Sequence, residues 1–328
     1  MRANRLKIAI VSPRWSGTLV RCQAMADGLL ARLKEHGTEG RSFFMSGALR
    51  LRVRSRLFSP LRAPHVVISC GAIGERRARE LRAFSTPLMW IHLDELSDRP
   101  DGPDLAFISP VEWKEEFASH PHYIELNTIL QGISHAEIAA GRAAARARLK
   151  LEDNARAVVL LIGGSNPAFV HDEGARQRMV EIIGHLKAAG ARILASTSRR
   201  TDPETTEVIR TALAGEGVLY AGEGPNPYRD FLAAADEILV TEDSITMAGE
   251  AIATGRPVSL LPLTAIDGER LQKSRRFHAR MQAHGMLHPY GDAISQPAPL
   301  SILEEQQRAI DLACAEVERR LAGLKLKS

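Results

Sequence analysis

The stretch from Tyr220 to Pro262 constrains the fold more than any other part of the chain, because short apolar runs alternate in it with helical segments. Its sequence is YAGEGPNPYRDFLAAADEILVTEDSITMAGEAIATGRPVSLLP. The pattern predicts a loop over 222–226, a short helix over 228–234, a strand over 237–240, a helix over 244–253 and a strand over 257–261. Apolar Ile245, Ala248 and Ile252 share one face of the longer helix, which we expect to pack on a sheet.

The polar turn at the start of that longer helix is a candidate ligand site. Thr241, Asp243 and Ser244 are all suited to cap the helix, and Gly255 is suited to end it. A helix that starts directly after a buried strand presents unpaired N–H groups and the positive end of its dipole, which favour a nucleotide or phosphate. Glu250 follows two turns later, where its carboxylate can accept hydrogen bonds from ribose hydroxyls.

Three more loops in the second half of the chain are polar at the same point, directly after an apolar strand. The strand over 157–162 (AVVLLI) precedes GGSN, the strand over 192–195 precedes STSRRT, and the strand over 218–220 precedes GEGPNPY. Each loop alone has a purely structural explanation. Four in series predict one binding crevice, because the carboxyl ends of parallel strands meet at one edge of the sheet.

The first half of the chain predicts another domain of the same kind. A strand over 7–11 leads through the loop SPRWSGT into a helix over 19–34. Further strands are predicted over 65–70, 87–93, 105–109 and 123–126. Ser16, Gly17 and Thr18, at the start of the first helix, are suited to hold a phosphate or an acceptor, although a tight turn explains Gly17 equally well.

Candidate acid–base residues lie where the strands of the first half end. His92 and Asp94 close the strand over 87–93, and Glu112 lies near the end of the next strand. These side chains are of the types that donate or accept protons during catalysis. A histidine at a strand end is nevertheless more often structural than catalytic.

The length of 328 residues predicts two domains, over 1–150 and 151–300, and a helix over 301–328 that packs back on the first. Ser134 and Glu137 predict a capping box at the start of an Ala/Arg-rich helix.

The formal net charge of +4 fits acidic ligands such as a nucleoside diphosphate or anionic lipid; it is only weak evidence for nucleic acid, which we do not expect as a partner. The segment Arg50–Arg62 has five arginines and no acid, which predicts either an arm on an anionic membrane or a solvated arginine face. Cys22, Cys70 and Cys314 are far apart in sequence and predict neither a disulfide nor a metal site. The apolar runs all fall short of the roughly 18 residues that a membrane span requires.

The motifs GGSN, TSRRT and GEGPNPYxxFLAxADxILVTEDSIxMxxEAxATGxPV together resemble one protein family. They cover about residues 157–290 and are similar to bacterial homologues of the plant elongated-mitochondria fission factor, which are predicted GT-B glycosyltransferases. A more distant resemblance is to the N-acetylglucosaminyltransferase of peptidoglycan synthesis. The resemblance implies an α/β fold with two Rossmann-like domains facing a central cleft.

The resemblance also implies which residues bind the sugar donor. The predicted donor set is Gly163, Gly164, Ser165, Asn166, Ser198, Arg199, Glu223, Glu242, Asp243, Ser244 and Glu250. Because Glu242 and Asp243 would repel a diphosphate, we assign the phosphates to backbone N–H groups, Ser244 and basic side chains, and the acids to hydroxyls.

The loop after the first strand departs from the family pattern. The family usually has Asp-Gly-Lys-x-Gly-His-x-x-Gln there, whereas this chain has SPRWSGTLVRCQ, which keeps Gln23 but has no Asp or His. The catalytic base is therefore sought at Asp94 or His92, with Glu112 as a further candidate.

The resemblance implies a transferase that moves a sugar from a nucleotide-diphosphate sugar, for which a UDP-sugar is one candidate, to an envelope glycan or glycolipid, with no metal or other cofactor. It implies action in the cytoplasm, where the inner face of the inner membrane is a further candidate site. Two alternatives remain open: a nucleotide-sugar-binding scaffold without turnover, and a nucleotide-sugar epimerase of the same fold. A nicotinamide dehydrogenase is disfavoured because no GxGxxG follows the first strand.

Overall fold

The computed structural model describes residues 5–13, 16–45, 64–84, 89–97, 102–291 and 299–325. The chain forms two compact units, of which the first combines Met1–Gly132 with Glu304–Ser328 and the second is Ile133–Leu303. The segment Arg50–Arg62 lies outside the described residues.

Strands and helices alternate along most of the described chain. The strands are β1 Leu6–Val11, β2 Gly40–Phe44, β3 Val66–Cys70, β4 Met89–Leu93, β5 Leu105–Ile108, β6 Tyr123–Glu125, β7 Ala157–Ile162, β8 Phe169–Val170, β9 Arg192–Thr197, β10 Val218–Tyr220, β11 Glu237–Thr241, β12 Val258–Leu261, β13 Thr264–Ala265 and β14 His288–Pro289. The α-helices are α1 Ser16–Glu35, α2 Gly71–Phe84, α3 His135–Arg148, α4 Glu173–Ala188, α5 Pro203–Leu213, α6 Tyr228–Ala234, α7 Ile245–Ala253, α8 Glu269–Ala283, α9 Leu300–Leu303 and α10 Glu305–Lys325. A 3-10 helix spans Glu115–Ser119.

The first unit is built on a parallel sheet of six strands in the order β2-β1-β3-β4-β5-β6. The direction of winding reverses between β1 and β3, so the switch point, where such sheets bind ligands, lies at the carboxyl ends of these two strands. The strands β3 and β4 are buried at every position, as expected of a sheet covered on both faces.

The helix α10 packs on α1 within the first unit, which confirms the predicted return of the C-terminal helix. The two helices approach closely at Gly28, where an added Cβ would lie 2.4 Å from the Cδ1 atom of Ile310. Glu305 anchors the start of α10: its carboxylate accepts hydrogen bonds from the backbone N–H groups of Asn127 at 2.7 Å and Thr128 at 2.9 Å. Burial raises the pKa of Glu305, and these hydrogen bonds oppose that effect.

The second unit has its own parallel six-stranded sheet, in the order β10-β9-β7-β11-β12-β14. This is the strand order of the doubly wound nucleotide-binding fold, and the winding reverses between β7 and β11. The loops after β7 and β11 therefore meet at the switch point. The predicted α/β class with parallel sheets is confirmed.

The helix α3 belongs to the second unit, whereas the sequence interpretation assigned residues up to 150 to the first domain. The helix α3 joins the second unit because its arginines form hydrogen bonds and ion pairs with the end of α6. The Arg142 guanidinium donates hydrogen bonds to the carbonyl oxygens of residues 233–235 and pairs with Asp236 at 2.5 Å. Arg146 also pairs with Asp236, at 3.4 Å. The predicted capping box at Ser134 and Glu137 is confirmed at the start of α3.

Four strands were not anticipated from sequence: β2, β14, and the antiparallel pair β8 and β13. Within the described residues, no helix combines the length and apolar composition needed to cross a bilayer.

Candidate functional site

The carboxylate of Asp243 links three loops at the switch point of the second unit. Its Oδ2 atom accepts hydrogen bonds from the Gly164 N–H at 2.9 Å and from Arg200 Nη2 at 3.0 Å, and its Oδ1 atom accepts one from the Thr241 hydroxyl at 2.6 Å. The side chain of Asp243 has no exposed surface. In this structure Asp243 therefore faces the protein interior, so the predicted contact of its carboxylate with sugar or ribose hydroxyls is not supported.

The two glycines after β7 are required by the packing of the loops against one another. A Cβ added at Gly163 would lie 2.1 Å from Oδ2 of Asp243, and one added at Gly164 would lie 2.0 Å from the carbonyl oxygen of Arg200. The family resemblance placed both glycines in the donor-binding set. The groups that approach them are instead a side chain and a backbone carbonyl of the same chain.

Ser165 and Asn166 have different surroundings in the same loop. The Asn166 amide donates to the Asp243 carbonyl oxygen at 3.0 Å, and its Oδ1 atom accepts from the N–H groups of Ala168 and Phe169 at 2.7 and 3.0 Å. Asn166 thus shapes the loop. Ser165 is exposed and its hydroxyl oxygen accepts only a backbone N–H, that of His171 at 3.1 Å, among the contacts of the described residues. Its hydroxyl proton remains available to a ligand.

The loop after β9 contributes guanidinium groups beside the GGSN loop. The Thr201 hydroxyl holds this loop in place through the carbonyl oxygens of Ile162 and Gly163. Ser198 accepts a hydrogen bond from the Arg200 N–H at 3.1 Å, so its hydroxyl oxygen serves the turn. Arg199 and Arg200 are both exposed, and Arg200 also donates to the Gly164 carbonyl oxygen at 3.2 Å.

The helix α7 begins at the switch point, as the sequence predicts. Ser244 is its N-cap, and its hydroxyl oxygen accepts from the Met247 N–H at 3.4 Å. Glu242 accepts a hydrogen bond from the Leu263 N–H at 2.8 Å and thereby anchors the segment after β12. Burial raises the pKa of Glu242, while Arg275 and Arg178 nearby act in the opposite direction.

Glu250 is held by a residue to which the sequence interpretation gave no role. The phenolic hydroxyl of Tyr228, at the start of α6, donates to the Glu250 Oε2 atom at 2.5 Å. Burial and the neighbouring Glu250 carboxylate raise the pKa of Tyr228 well above its usual value. The signal in the sequence was the aromatic residue that ends GEGPNPY. Glu223, in the same loop, is exposed.

Two buried histidines lie behind Asp243. The Nε2 atom of His171 is 3.6 Å from Asp243 Oδ1, and both side chains have no exposed surface. Neither ring nitrogen of His171, nor Nε2 of His278, has a hydrogen-bond partner among the described residues. Burial lowers the pKa of His278 from 6.5 to about 4, although Asp243 acts in the opposite direction.

We expect His278 to make the second unit sensitive to acid. Because its pKa is lower in the folded than in the unfolded state, the unfolded chain binds the extra proton first, and stability present above pH 6.5 is lost as the pH falls towards 4. The loss amounts to about 3 kcal/mol. Urea unfolding between pH 7 and 4 should show a shallower pH dependence for His278→Gln than for the wild type. The exposed His185→Gln should retain the wild-type dependence, and equal slopes for all three proteins would contradict the assignment to His278.

In the first unit, His92 is fully buried and both of its ring nitrogens have partners. Nδ1 is 2.8 Å from the Ser69 hydroxyl, which also accepts the Trp90 indole N–H at 2.7 Å, and Nε2 donates to the Glu95 carbonyl oxygen at 2.7 Å. Burial lowers the pKa of His92. The structure therefore gives His92 a structural role and does not support it as a catalytic base.

Asp94 remains partly accessible directly after β4. Its Oδ2 atom lies 2.8 Å from Arg21 Nη1, its Oδ1 atom accepts the Ser109 hydroxyl at 2.5 Å, and its side chain is 23% exposed. Its backbone φ of 72° falls in the left-handed region, which is uncommon outside glycine and often marks functional positions.

The predicted phosphate or acceptor loop lies at the start of α1. Gly17 and Thr18 are half-buried, and the Thr18 hydroxyl lies 3.5 Å from the Pro13 carbonyl oxygen. Ser16 is the first residue of α1, and its side chain lies outside the described part of the structure. Glu112 is half-buried, and its backbone N–H donates to the Ser109 carbonyl oxygen at 3.0 Å.

Nearly the whole chain matches the model of one known protein family. A family model described as mitochondrial fission ELM1 matches residues 4–320. The mitochondrial fission protein ELM1 of Arabidopsis thaliana is 33% identical over 86 residues, which are 26% of this chain and 20% of that protein. The match thus spans about a fifth of the length of this curated relative.

Solved structures share the fold at low sequence identity. The UDP-GlcNAc 2-epimerase of Methanocaldococcus jannaschii is 15% identical, with a TM-score of 0.55 over 93% of this chain and 92% of that one. The ADP-heptose lipopolysaccharide heptosyltransferase II of E. coli is 14% identical, with a TM-score of 0.51 over 96% and 99%. These similarities extend across both units and confirm the predicted fold class.

Proposed function

This chain belongs to the mitochondrial fission ELM1 family, and from that premise we propose that it is a glycosyltransferase whose second unit binds a nucleoside diphosphate sugar. The observation that carries the proposal is Glu250, held by Tyr228 two turns into the helix that begins at the switch point. A carboxylate fixed by a neighbouring hydroxyl is suited to accept hydrogen bonds from the two hydroxyls of a ribose.

The diphosphate would lie beside the loops after β7 and β9. Ser165 offers an exposed hydroxyl there, and the guanidinium groups of Arg199 and Arg200 offer positive charge. Arginine is well suited to phosphate because its planar fork donates two parallel hydrogen bonds. The same charge would stabilise the nucleoside diphosphate as it leaves.

The reaction would be a displacement at the anomeric carbon. The acceptor oxygen forms a bond to that carbon, the bond from the carbon to the phosphate oxygen breaks, and its electron pair leaves with the nucleoside diphosphate. The acceptor proton passes to a base, for which Asp94 is the candidate. We assign the acceptor to the envelope glycans or glycolipids, reached from the cytoplasmic face of a membrane, as the family resemblance implies.

We expect Glu250→Gln to weaken nucleotide binding about 10- to 100-fold. A hydrogen bond to a charged group contributes about 1.5–3 kcal/mol, and the amide offers one acceptor oxygen in place of two. Isothermal titration calorimetry against UDP, GDP, CMP, ADP and dTDP measures the effect. Tyr228→Phe should weaken the same nucleotide about 3- to 10-fold, because Glu250 loses the donor that orients it.

Glu181→Gln is the matched control, because Glu181 is an exposed glutamate on α4 of the same unit. The affinity of Glu181→Gln for the nucleotide should equal that of the wild type. A wild-type protein that binds none of the nucleotides or their common sugars would overturn the proposal, and equal affinity of Glu250→Gln and Glu181→Gln would move the ribose site elsewhere.

A scaffold that binds the donor without turnover is the second candidate. It is favoured by the burial of His92, by the ion pair of Asp94 with Arg21, and by the absence of Asp and His from the loop SPRWSGT. Release of nucleoside diphosphate from the bound donor distinguishes the two functions. A transferase releases it in the presence of an acceptor and slows in Asp94→Asn, whereas a scaffold releases none across a broad acceptor panel.

A further inference from the structure

Nitrogen, sulfur and oxygen donors come together in the first unit where α1 ends beside α10. His36 directly follows α1, and Cys314 and Glu318 lie one helical turn apart on α10. One potential ligand atom of each residue lies within 4.8 Å of those of the other two. His36 Nδ1 and Glu318 Oε1 are already 2.6 Å apart.

We propose that His36, Cys314 and Glu318 bind a zinc ion or a similar divalent transition-metal ion. Imidazole, thiolate and carboxylate are the three side-chain ligands of zinc, at about 2.0–2.3 Å from the ion. Ligand atoms of a tetrahedral site are then about 3–4 Å apart, so His36 Nδ1 and Glu318 Oε1 would have to separate from their present 2.6 Å. Magnesium and calcium fit less well because they prefer oxygen ligands throughout.

The three side chains differ in their exposure: Cys314 lies in the core, whereas His36 and Glu318 lie nearer the surface. Cys314 is only 2% exposed, whereas the side chains of His36 and Glu318 are 43% and 36% exposed. An ion would therefore have its sulfur ligand on the protein side and an open position on the solvent side. A water molecule completes the tetrahedron there, as in zinc sites with three protein ligands.

The surrounding charge favours a cation. Glu35 and Asp311 lie close by, and both pair with the single guanidinium of Arg32, at 2.7 and 3.1 Å. Burial first, and then Glu318, raise the pKa of Cys314 to about 11. The thiol is thus protonated before an ion arrives. Binding transfers that proton to solvent as the sulfur–metal bond forms.

The site would link two segments that are far apart in the sequence. His36 directly follows the first helix of the unit, while Cys314 lies on the helix that returns to this unit after the whole of the second. An ion that binds only this arrangement stabilises the folded first unit by mass action. No local pattern in the sequence indicates the site, because the three cysteines are distant from one another and Cys314 is far from His36 in the chain.

The alternative is a simple hydrogen-bonded pair of His36 and Glu318, with Cys314 only packed against the core. The two possibilities differ in the role of the sulfur atom. A thiolate ligand gives bound cobalt a charge-transfer band in the near ultraviolet, and a histidine–glutamate pair alone does not.

The test uses the full-length protein, freed of metal by a chelator. Addition of ZnCl2 to about 100 times its dissociation constant should raise the melting temperature by about 5 °C, and MgCl2 should not. CoCl2 should produce the thiolate band in the wild type and not in Cys314→Ala. Because Cys314→Ala opens a space in the core, His36→Gln and Glu318→Gln carry the test at exposed positions, and each should lose most of the zinc-induced shift.

His185→Gln serves as the control, because His185 is an exposed histidine of the second unit. It should keep the full zinc-induced shift. The proposal is overturned if His36→Gln and Glu318→Gln respond to zinc like the wild type, or if cobalt binds without a thiolate band.

Discussion

Replacing Asp243 with alanine is expected to lower the free energy of unfolding of the second unit by about 3 kcal/mol. The fully buried carboxylate accepts hydrogen bonds from the Gly164 N–H and the Thr241 hydroxyl. Its removal leaves the Gly164 N–H buried without an acceptor, which alone costs about 1–3 kcal/mol. Loss of the ion pair with Arg200 adds little, because that guanidinium is 47% exposed and solvent screens it.

Urea unfolding followed by circular dichroism measures the change. Asp243→Asn should lose less, because the amide keeps one acceptor oxygen and the shape of the side chain. Asp153→Ala is the control at an exposed position and should stay within about 0.5 kcal/mol of the wild type. If Asp243→Ala unfolds at the same urea concentration as Asp153→Ala, the carboxylate does not hold the loops together.

Gly164→Ala is expected to destabilise the second unit by about 3 kcal/mol, although it adds a single methyl group. The new Cβ would lie 2.0 Å from the carbonyl oxygen and 2.2 Å from the carbonyl carbon of Arg200. Because these are backbone atoms, the loop after β9 has to move rather than a flexible side chain. The same displacement would disturb the guanidinium of Arg200 and its bond to Asp243, so nucleotide affinity should fall as well.

Gly184→Ala is a control variant that is expected to raise the stability of the second unit instead of lowering it. Gly184 lies within α4, and an added Cβ would have no neighbour within 4 Å. Alanine is favoured over glycine in a helix by about 0.5–1 kcal/mol, so this variant should gain that much. Thermal melts of both variants show whether each substitution raises or lowers the melting temperature. Two variants of equal stability would mean that the tight contact at Gly164 is absent in solution.

The sheets could be predicted from the sequence because their central strands are buried on both faces. The run AVVLLI has no polar residue, and the structure contains this strand with the predicted limits. The edge strand β2, GRSFF, was missed because none of its residues is fully buried and two of its five are polar. The two-residue strands β8 and β13 depend on the Asn166 turn and on tertiary pairing, which no local pattern reveals.

The meeting of the polar loops could also be predicted, because the carboxyl ends of parallel strands share one edge of a sheet. The direction in which each polar side chain points could not. The side chains of Asp243 and Asn166 serve the neighbouring loops, whereas Ser165, directly before Asn166 in the chain, is exposed. The inward direction of Asp243 and Asn166 is set by hydrogen bonds between side chains and backbone groups that are 77 to 79 positions apart in the chain.

The domain boundary was misplaced because local signals describe the helix α3 without its partner. The capping box and the Ala/Arg-rich sequence predict where this helix begins and how long it is. They carry no information on the carbonyl groups at the end of α6 that Arg142 binds, about 90 residues later. The unit to which a helix belongs is decided by such distant contacts.

The return of α10 to the first unit sets an order of events during protein synthesis. Ala309, Ala313 and Val317 fill part of the apolar core beneath α1, and they leave the ribosome only after the whole of Ile133–Leu303. At a synthesis rate of about 5–20 residues per second, this part of the core of the first unit stays incomplete for roughly 10–30 s. The second unit, whose segment is continuous, can complete its fold in that interval. The newly made chain therefore has a period in which chaperones can bind the exposed face of α1.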